Sequence, residues 1–220
     1  MTANDLITDD IPPLRIDDTA EKALRWMDEF RVSNLAVVNG TEFVGIISDS
    51  ILLDFNDPDA PIGSQRLSLV RPVLQGTQHV YDALKLMAEL NLDVIAVTDE
   101  NGHYSGTISI QRLAERMATL AAVREPGGIL ELEVNSVDYS LSQIAQIVEG
   151  NDAKILSVYV SPLPDTTKIQ VTLKINREDL SRILQTFARY NYTVLATHHQ
   201  SEFTEDLKRR YDEFMNFINM

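Results

Sequence analysis

Arg112 stands three residues after Ser109, where the chain passes from an apolar run into a predicted helix. A guanidinium beside a hydroxyl and the unpaired N–H groups of a helix start is chemistry for a phosphate or a carboxylate. The plainer reading of the same pair is a capping serine followed by a solvated arginine, and both readings stand. Ser48, with Asp49 directly after it, ends an earlier apolar run in the same way. In the second half of the chain, Asn135, Ser136, Asp138 and Tyr139 form a turn into another predicted helix. Such types can meet a ligand, but any tight turn selects them. Nothing points to catalysis: there is no G-x-S-x-G, no Gly-rich phosphate loop and no H-E-x-x-H. Paired acids such as Asp9-Asp10 and Asp17-Asp18 read as turns and caps. His198 and His199 are neighbours on a predicted strand and point to opposite faces, a poor metal pair. His79 and His103 lie in different elements with no acidic or histidine partner at ligand spacing. The acidic loop at Asp54–Asp59 has Pro58 and Asp59 where a calcium loop needs a ligand and a glycine. No catalytic residue, metal or cofactor is therefore expected.

The elements that position these residues come in two copies. Ala23-Leu24, Met27, Glu29, Ala36 and Val37 recur 60 residues later as Ala83-Leu84, Met87, Glu89, Ala96 and Val97. Gly45, Ile47, Ser48 and Leu52 recur at an offset of 61 as Gly106, Ile108, Ser109 and Leu113. A unit repeated at this period buries its apolar face against its twin and leaves a pseudo-symmetric cleft between the copies. Asp18 with Glu21 reads as a capping box, and Ala20, Ala23, Leu24, Met27 and Phe30 follow at helical spacing. Apolar runs at 35–38 and 43–47 flank Asn39-Gly40, a hairpin signature. The second copy predicts a helix over His79–Leu90, strands at Val94–Thr98 and Tyr104–Ser109, and a helix from Ile110 to about Ala122. Each copy reads β-α-β-β-α.

With the motifs Ala23-Leu24-Arg25-Trp26-Met27 and Gly45-Ile46-Ile47-Ser48, repeated as Ala83-Leu84-Lys85-Leu86-Met87 and Gly106-Thr107-Ile108-Ser109, this half resembles a tandem pair of CBS domains. The resemblance covers roughly residues 5 to 122 and implies regulatory ligand binding. Members that bind adenine nucleotides carry an Asp three residues after the strand-ending Ser or Thr, where a carboxylate accepts from both ribose hydroxyls. Here those places hold Ile51 and Arg112. Asp49 is displaced by two residues along a helix start and does not replace the missing acid.

After Val123-Arg124-Glu125-Pro126-Gly127-Gly128, read as a linker, the pattern changes. Strands are predicted at 129–134, 155–160, 169–175 and 192–196. One helix carries Leu141, Ile144, Ala145, Ile147 and Val148 behind a Ser140 cap with Gln143, and a second carries Leu180, Ile183, Leu184 and Phe187 behind Asn176. That β-α-β-β-α-β order is ferredoxin-like. Directly after a CBS pair it resembles an ACT domain, and the whole is similar to acetoin-utilisation-type CBS/ACT regulatory proteins. Ligand-binding ACT domains have a glycine two residues before the first helical Leu; Tyr139 stands there and would crowd a ligand. The tail repeats Leu207, Tyr211, Phe214, Phe217 and Ile218 on one helical face, behind Thr204, Glu205 and Asp206. An apolar stripe of this kind needs a cover, and a second subunit provides one.

The expected fold is α/β (α+β): a CBS pair over 1–122, with repeats of about 5–62 and 63–122, a linker at 123–128, an ACT-like domain over 129–200, and an amphipathic helix over 201–220. No cysteine is present, which suits a reducing, cytoplasmic setting. No leader or membrane-spanning run is read, and a net charge of −14 disfavours nucleic acid and anionic lipid. The expectation is a homodimeric, non-catalytic sensor of a small effector of nucleotide or amino-acid class. A scaffold with degenerate ligand sites is the alternative, and an unrecognised enzyme ranks last.

Overall fold

The repeat in the sequence is a repeat in space. The computed structural model describes residues 1–64, 69–164 and 166–198, which fall into two compact units, the first ending at Arg116 and the second beginning at Met117. The first repeat contains β1 (Leu14–Arg15), α1 (Ala20–Phe30), β2 (Asn34–Asn39), β3 (Glu42–Ser48) and α2 (Asp49–Leu53). The second contains β4 (Leu74–Gln75), α3 (Val80–Leu90), β5 (Val94–Thr98), β6 (Tyr104–Ser109) and α4 (Ile110–Leu120). Each makes a three-stranded sheet in which a short strand runs parallel to the first arm of a hairpin. β2 and β5 are apolar without alternation because both of their faces are covered. One apolar cluster joins Ala36, Phe43 and Ile46 to the second repeat, and another joins Val94 to the first.

The helix starts explain one departure from the sequence reading. Thr19, not Asp18, caps α1, with backbone at φ −92°, ψ 161° and its oxygen accepting from the Lys22 N–H. Asp18 lies one residue too early. It accepts instead from the Arg15 N–H at 2.8 Å and pairs with Lys22 Nζ at 2.6 Å. His79 caps α3 by accepting from the Tyr81 N–H at 3.2 Å, and Asp82 accepts in return from the His79 N–H at 3.1 Å.

Each repeat is completed by the segment that precedes the other. The N–H groups of Ala3, Asn4 and Thr8 donate to Gln78, Gly76 and Thr107 at 2.8, 3.0 and 3.1 Å, so the opening segment lies on the second repeat. Ile62 and Gly63 donate to Asp18 and Ile16 at 2.8 and 2.7 Å, and Ile46 donates to Val70 at 2.9 Å, so the intervening segment lies on the first. The motif glycines make room for this exchange. A Cβ on Gly45 would stand 2.6 Å from Leu69 Cβ, and one on Gly106 would strike the side chain of Ile7.

Asn34 fixes the repeats to one another. Its Nδ2 donates to Val94 O at 2.8 Å and its Oδ1 accepts from the Asp93 N–H at 2.7 Å. Asp93 answers by accepting from the Ser33 N–H at 2.8 Å. Asn34 is only 3% exposed, yet both ends of its amide are satisfied.

In the second unit, β7 (Gly128–Asn135), β8 (Ile155–Pro162), β9 (Lys168–Ile175) and β10 (Thr193–His198) form one antiparallel sheet in the order β10-β7-β9-β8. With α5 (Leu141–Glu149) and α6 (Ser181–Arg189) this is the ferredoxin-like arrangement. Ile144, Ile147, Val148, Ile183 and Phe187 line its core with Leu130, Leu132, Val171 and Leu173. Leu141, read as part of that stripe, is 44% exposed, because it opens the helix before the face turns inward. Asn176 does not cap α6; it accepts from the Lys154 N–H at 2.6 Å, and α6 begins five residues later, where Asp179 accepts from the Ser181 N–H at 3.0 Å. Gly127 and Gly128 are packed: at φ +139°, a Cβ on Gly127 would strike Ile175 O. The amphipathic helix expected at 201–220 lies outside the described residues.

Replacing Asn34 by Ala leaves the buried Val94 carbonyl without its side-chain partner. The expected cost is about 1–3 kcal/mol in urea denaturation followed by circular dichroism. A loss below about 0.5 kcal/mol would show that the repeats are held by apolar contact alone.

Candidate functional site

α4 begins as expected from a capping serine. Ser109 Oγ accepts from the Arg112 N–H at 3.2 Å. The Arg112 side chain is 35% exposed, and its Nη1 lies 3.5 Å from Glu115 Oε2. Its Nε is buried and has no hydrogen-bond partner among the described residues. Ser109 and Arg112 stand in the wall of a 440 Å³ cavity that also takes in Asp10, Glu29 and Arg31 from the first repeat and Gln111 and Glu115 from the second. The two repeats thus build one cleft, as the internal repeat requires. Its walls carry two guanidinium groups and three carboxylates. A polyanion meets an excess of like charge there, whereas a molecule bearing both an anionic group and hydrogen-bond donors finds partners for each.

The equivalent serine of the first repeat is differently placed. Ser48 Oγ accepts from the Ile51 N–H at 3.4 Å and bonds Ser50 Oγ at 2.8 Å, while Asp49 Oδ1 accepts from the Ser50 N–H at 2.6 Å. Neither Ser48 nor Asp49 is in the wall of the 440 Å³ cavity. α2 has five residues, and Ile51, at the position where a ribose-binding acid would stand, packs against the core of its repeat.

In the second unit, Asn135 and Asp138 close a turn on each other, Asn135 Nδ2 donating to Asp138 Oδ2 at 3.1 Å. Both line a 280 Å³ cavity with Glu133, Gln143, Lys168 and Tyr192. Lys168 and Glu133 form an ion pair there. The Tyr192 hydroxyl donates to Gln143 Oε1 at 2.7 Å, and burial raises its pKa. Ser136 is exposed, its N–H bonded to Thr167 O at 3.0 Å. Tyr139 packs against the core of the unit and stands outside the walls of this cavity.

Several of these residues gave no sign in the sequence. Asp10, Glu29 and Arg31 reach the cleft only because the chain folds the end of α1 toward α4. Arg31 ends α1 at φ +56°, as Asn91 ends α3 at φ +52°, and no residue type announced that equivalence. His103, expected to lack an acidic partner, lies 3.2 Å from Asp99 through its Nδ1; the hairpin turn between them brings the pair together. His198 Nε2 lies 3.7 Å from Glu131, and His199 is outside the described residues. Among the described residues no group of three or more His, Cys, Asp or Glu could hold a metal ion, and no helix is long and apolar enough to cross a membrane.

Because Ser109 is the cap of α4 as well as a wall of the cleft, Ser109→Ala is expected to destabilise the protein by about 1 kcal/mol even without ligand. Thermal or urea unfolding of the two proteins measures this. Equal stabilities would show that the hydroxyl is not spent on the helix.

Residues 3–56 and 71–119 match the family model described as "CBS domain". Solved structures similar to the chain include a CBS domain pair/ACT domain protein from Thermotoga maritima, 23% identical, with 54% of this chain and 98% of that chain covered and a TM-score of 0.48. The CBS domains of a transcriptional regulator from Streptococcus pneumoniae are 18% identical, with 52% and 98% covered and a TM-score of 0.45. CBSX2 in complex with AMP is 22% identical, with 54% and 96% covered and a TM-score of 0.44. The two matched segments coincide with the two β-α-β-β-α repeats, and this part of the chain is a tandem pair of CBS domains.

Proposed function

We propose that this protein is a non-catalytic regulator that senses a small metabolite through the cleft between its CBS repeats, with the ferredoxin-like unit serving as an ACT-type module. CBS domains are in general regulatory ligand-binding modules. The observation that carries the proposal is the 440 Å³ cavity with walls from both repeats, one of its lining residues being Arg112, whose buried Nε has no hydrogen-bond partner among the described residues. The mixed charge of those walls favours an effector that pairs an anionic group with donors, as amino acids do. Asn135 and Asp138, in the wall of the 280 Å³ cavity, are the corresponding candidates in the second unit.

A thermal-shift screen of the intact protein against nucleotides, S-adenosylmethionine and amino acids tests this. A true effector at a hundredfold excess over its Kd stabilises by about 2.7 kcal/mol. AMP, ADP and ATP are expected to bind weakly or not at all, since Ile51 and Arg112 stand where ribose-binding acids would. Calorimetric binding in the micromolar range or tighter would contradict that. Whatever anionic ligand binds should lose affinity in Arg112→Ala, and an unchanged affinity would return Arg112 to the role of a surface side chain.

A second reading is favoured by the use of both Ser48 and Ser109 as helix caps. On this reading the ligand sites are degenerate and the chain is a scaffold for another protein. A partner that binds with no small molecule present distinguishes it.

We also propose a homodimer, from the stripe Leu207, Phe214, Phe217 and Ile218, each side chain worth roughly 1.5–3 kcal/mol when buried. Phe214→Asp with Phe217→Asp is expected to shift size-exclusion light scattering from dimer to monomer. A wild-type monomer at tens of micromolar would end that proposal.

A further inference from the structure

In the first unit the described sheet edges are covered or short. The Ile46 N–H of β3 donates to Val70 O at 2.9 Å, and that of Thr8 donates to Thr107 O of β6 at 3.1 Å. The exchanged segments thus run along the outer strands of both hairpins, and β1 and β4 have only two residues each. In the second unit the edges are β10 and β8. β10 carries a bulge between Val194 and Ala196, near its middle, which breaks the row of backbone groups that a further strand would need. β8 lacks such a defence over most of its length. Among the described residues it pairs with β9 alone.

The residues of β8 sharpen that contrast. The strand contains no charged side chain, although the chain carries a net charge of −14. Its bulge falls at the start, between Ile155 and Ser157, and its proline, Pro162, at the end. Between them, Ser157 to Ser161 keep unbroken register with Lys174 to Gln170 of β9. Tyr159 is 38% exposed and Val160 47%. An uncharged edge built from β-branched and aromatic residues is a template for another strand, because half of its N–H and C=O groups point away from the sheet.

The sequence of that edge also selects its occupant. Ser157-Val158-Tyr159-Val160-Ser161 reads the same in both directions. Laid antiparallel on a second copy about a two-fold axis at Tyr159, it sets Ser157 opposite Ser161, Val158 opposite Val160, and Tyr159 opposite its own counterpart. Each pair matches in size and type, and none brings like charges together. The match holds whichever set of backbone groups faces outward. Two acidic copies repel at long range, and a strand without charge is where they approach with least opposition.

We propose that β8 is an interaction surface for a second copy of this chain, the two β8 strands pairing antiparallel so that two four-stranded sheets join edge to edge. The pairing rests on the homodimer reading above and names where the copies meet. A two-fold contact of this kind closes on itself and leaves only the bulged β10 edges outside.

The test is oxidation of Tyr159→Cys in the intact chain, which has no cysteine of its own. Residues directly opposite in an antiparallel pair have Cα atoms about 4.5–5.5 Å apart, within disulfide reach. A covalent dimer should form at least about tenfold faster than in Val137→Cys, because pairing raises the effective concentration of the thiols. Val137 is 90% exposed and lies outside β8. Hydrogen exchange of the wild type at about 100 μM should show protection at the β8 amides that face away from β9, as a micromolar dimer requires. Tyr159→Lys opposes two ammonium groups across the axis. It should lower that protection at least about tenfold and shift light scattering toward monomer, while the amides bonded to β9 stay protected. A wild-type dimer in which Tyr159→Cys cross-links no faster than Val137→Cys overturns the β8 surface and leaves the homodimer standing. A wild-type monomer at the same concentration overturns both. Protection that survives in Tyr159→Lys would assign the cover of β8 to another segment of the same chain, and also overturns the proposal.

Discussion

The amide of Asn34 sits where the two repeats meet, and the rest of the first unit depends on the bonds it makes there. A buried side-chain amide is stable only if both of its ends are paired, which tolerates little variation in position. Here the partners are Val94 O and the Asp93 N–H, at 2.8 and 2.7 Å. Both lie 59 or 60 residues away, at the start of the equivalent strand. Apolar packing of β2 against β5 supplies the attraction, but apolar contact alone does not specify register. The polar clamp does. With the register set, the end of α1 comes to face the start of α4, and the cleft containing Arg31 and Arg112 follows.

The exchange of flanking segments reinforces that geometry. The opening segment lies on the second repeat and the intervening segment on the first, so neither repeat has a complete sheet surface of its own. Gly45 and Gly106, the first residues of the repeated motif, are small because Leu69 and Ile7 lie against them. The same duplication also permits divergence. Once two copies share a frame, a position that must be apolar in one can become polar in the other, as at Val38 and Thr98. Ser48 and Ser109 diverge likewise: both cap a helix, but only Ser109 stands in the wall of the described cleft.

Much of this architecture was legible in the residues. The hairpins, the helices of both repeats and the ferredoxin-like order of the second unit follow from local signals: period, turn chemistry and caps within a few residues. Where local reading failed, the competing interaction was also local but one step displaced, as with Thr19 capping in place of Asp18. Ser109 and Arg112 were found because a motif repeats. Asp10, Glu29 and Arg31 were not, because a cleft wall is assembled from distant segments whose residue types are ordinary for any surface. Asn34 was equally silent: an asparagine at a strand start reads as a turn residue until its partner is known to lie on another strand. Tyr139 was read as an obstruction to a ligand, but it packs into the core, a direction that no spacing along the chain reveals.

The central claim is that the interlocked repeats behave as one cooperative body from which the cleft cannot be separated. Native-state hydrogen exchange of the intact protein, measured at increasing denaturant below the unfolding transition, tests it most directly. Amides of β2 and β5 should converge on one opening free energy with one denaturant dependence, because opening either strand breaks the Asn34 clamp and strips an exchanged segment from the other. Two separate isotherms, with one repeat opening while the other stays protected, would contradict the account.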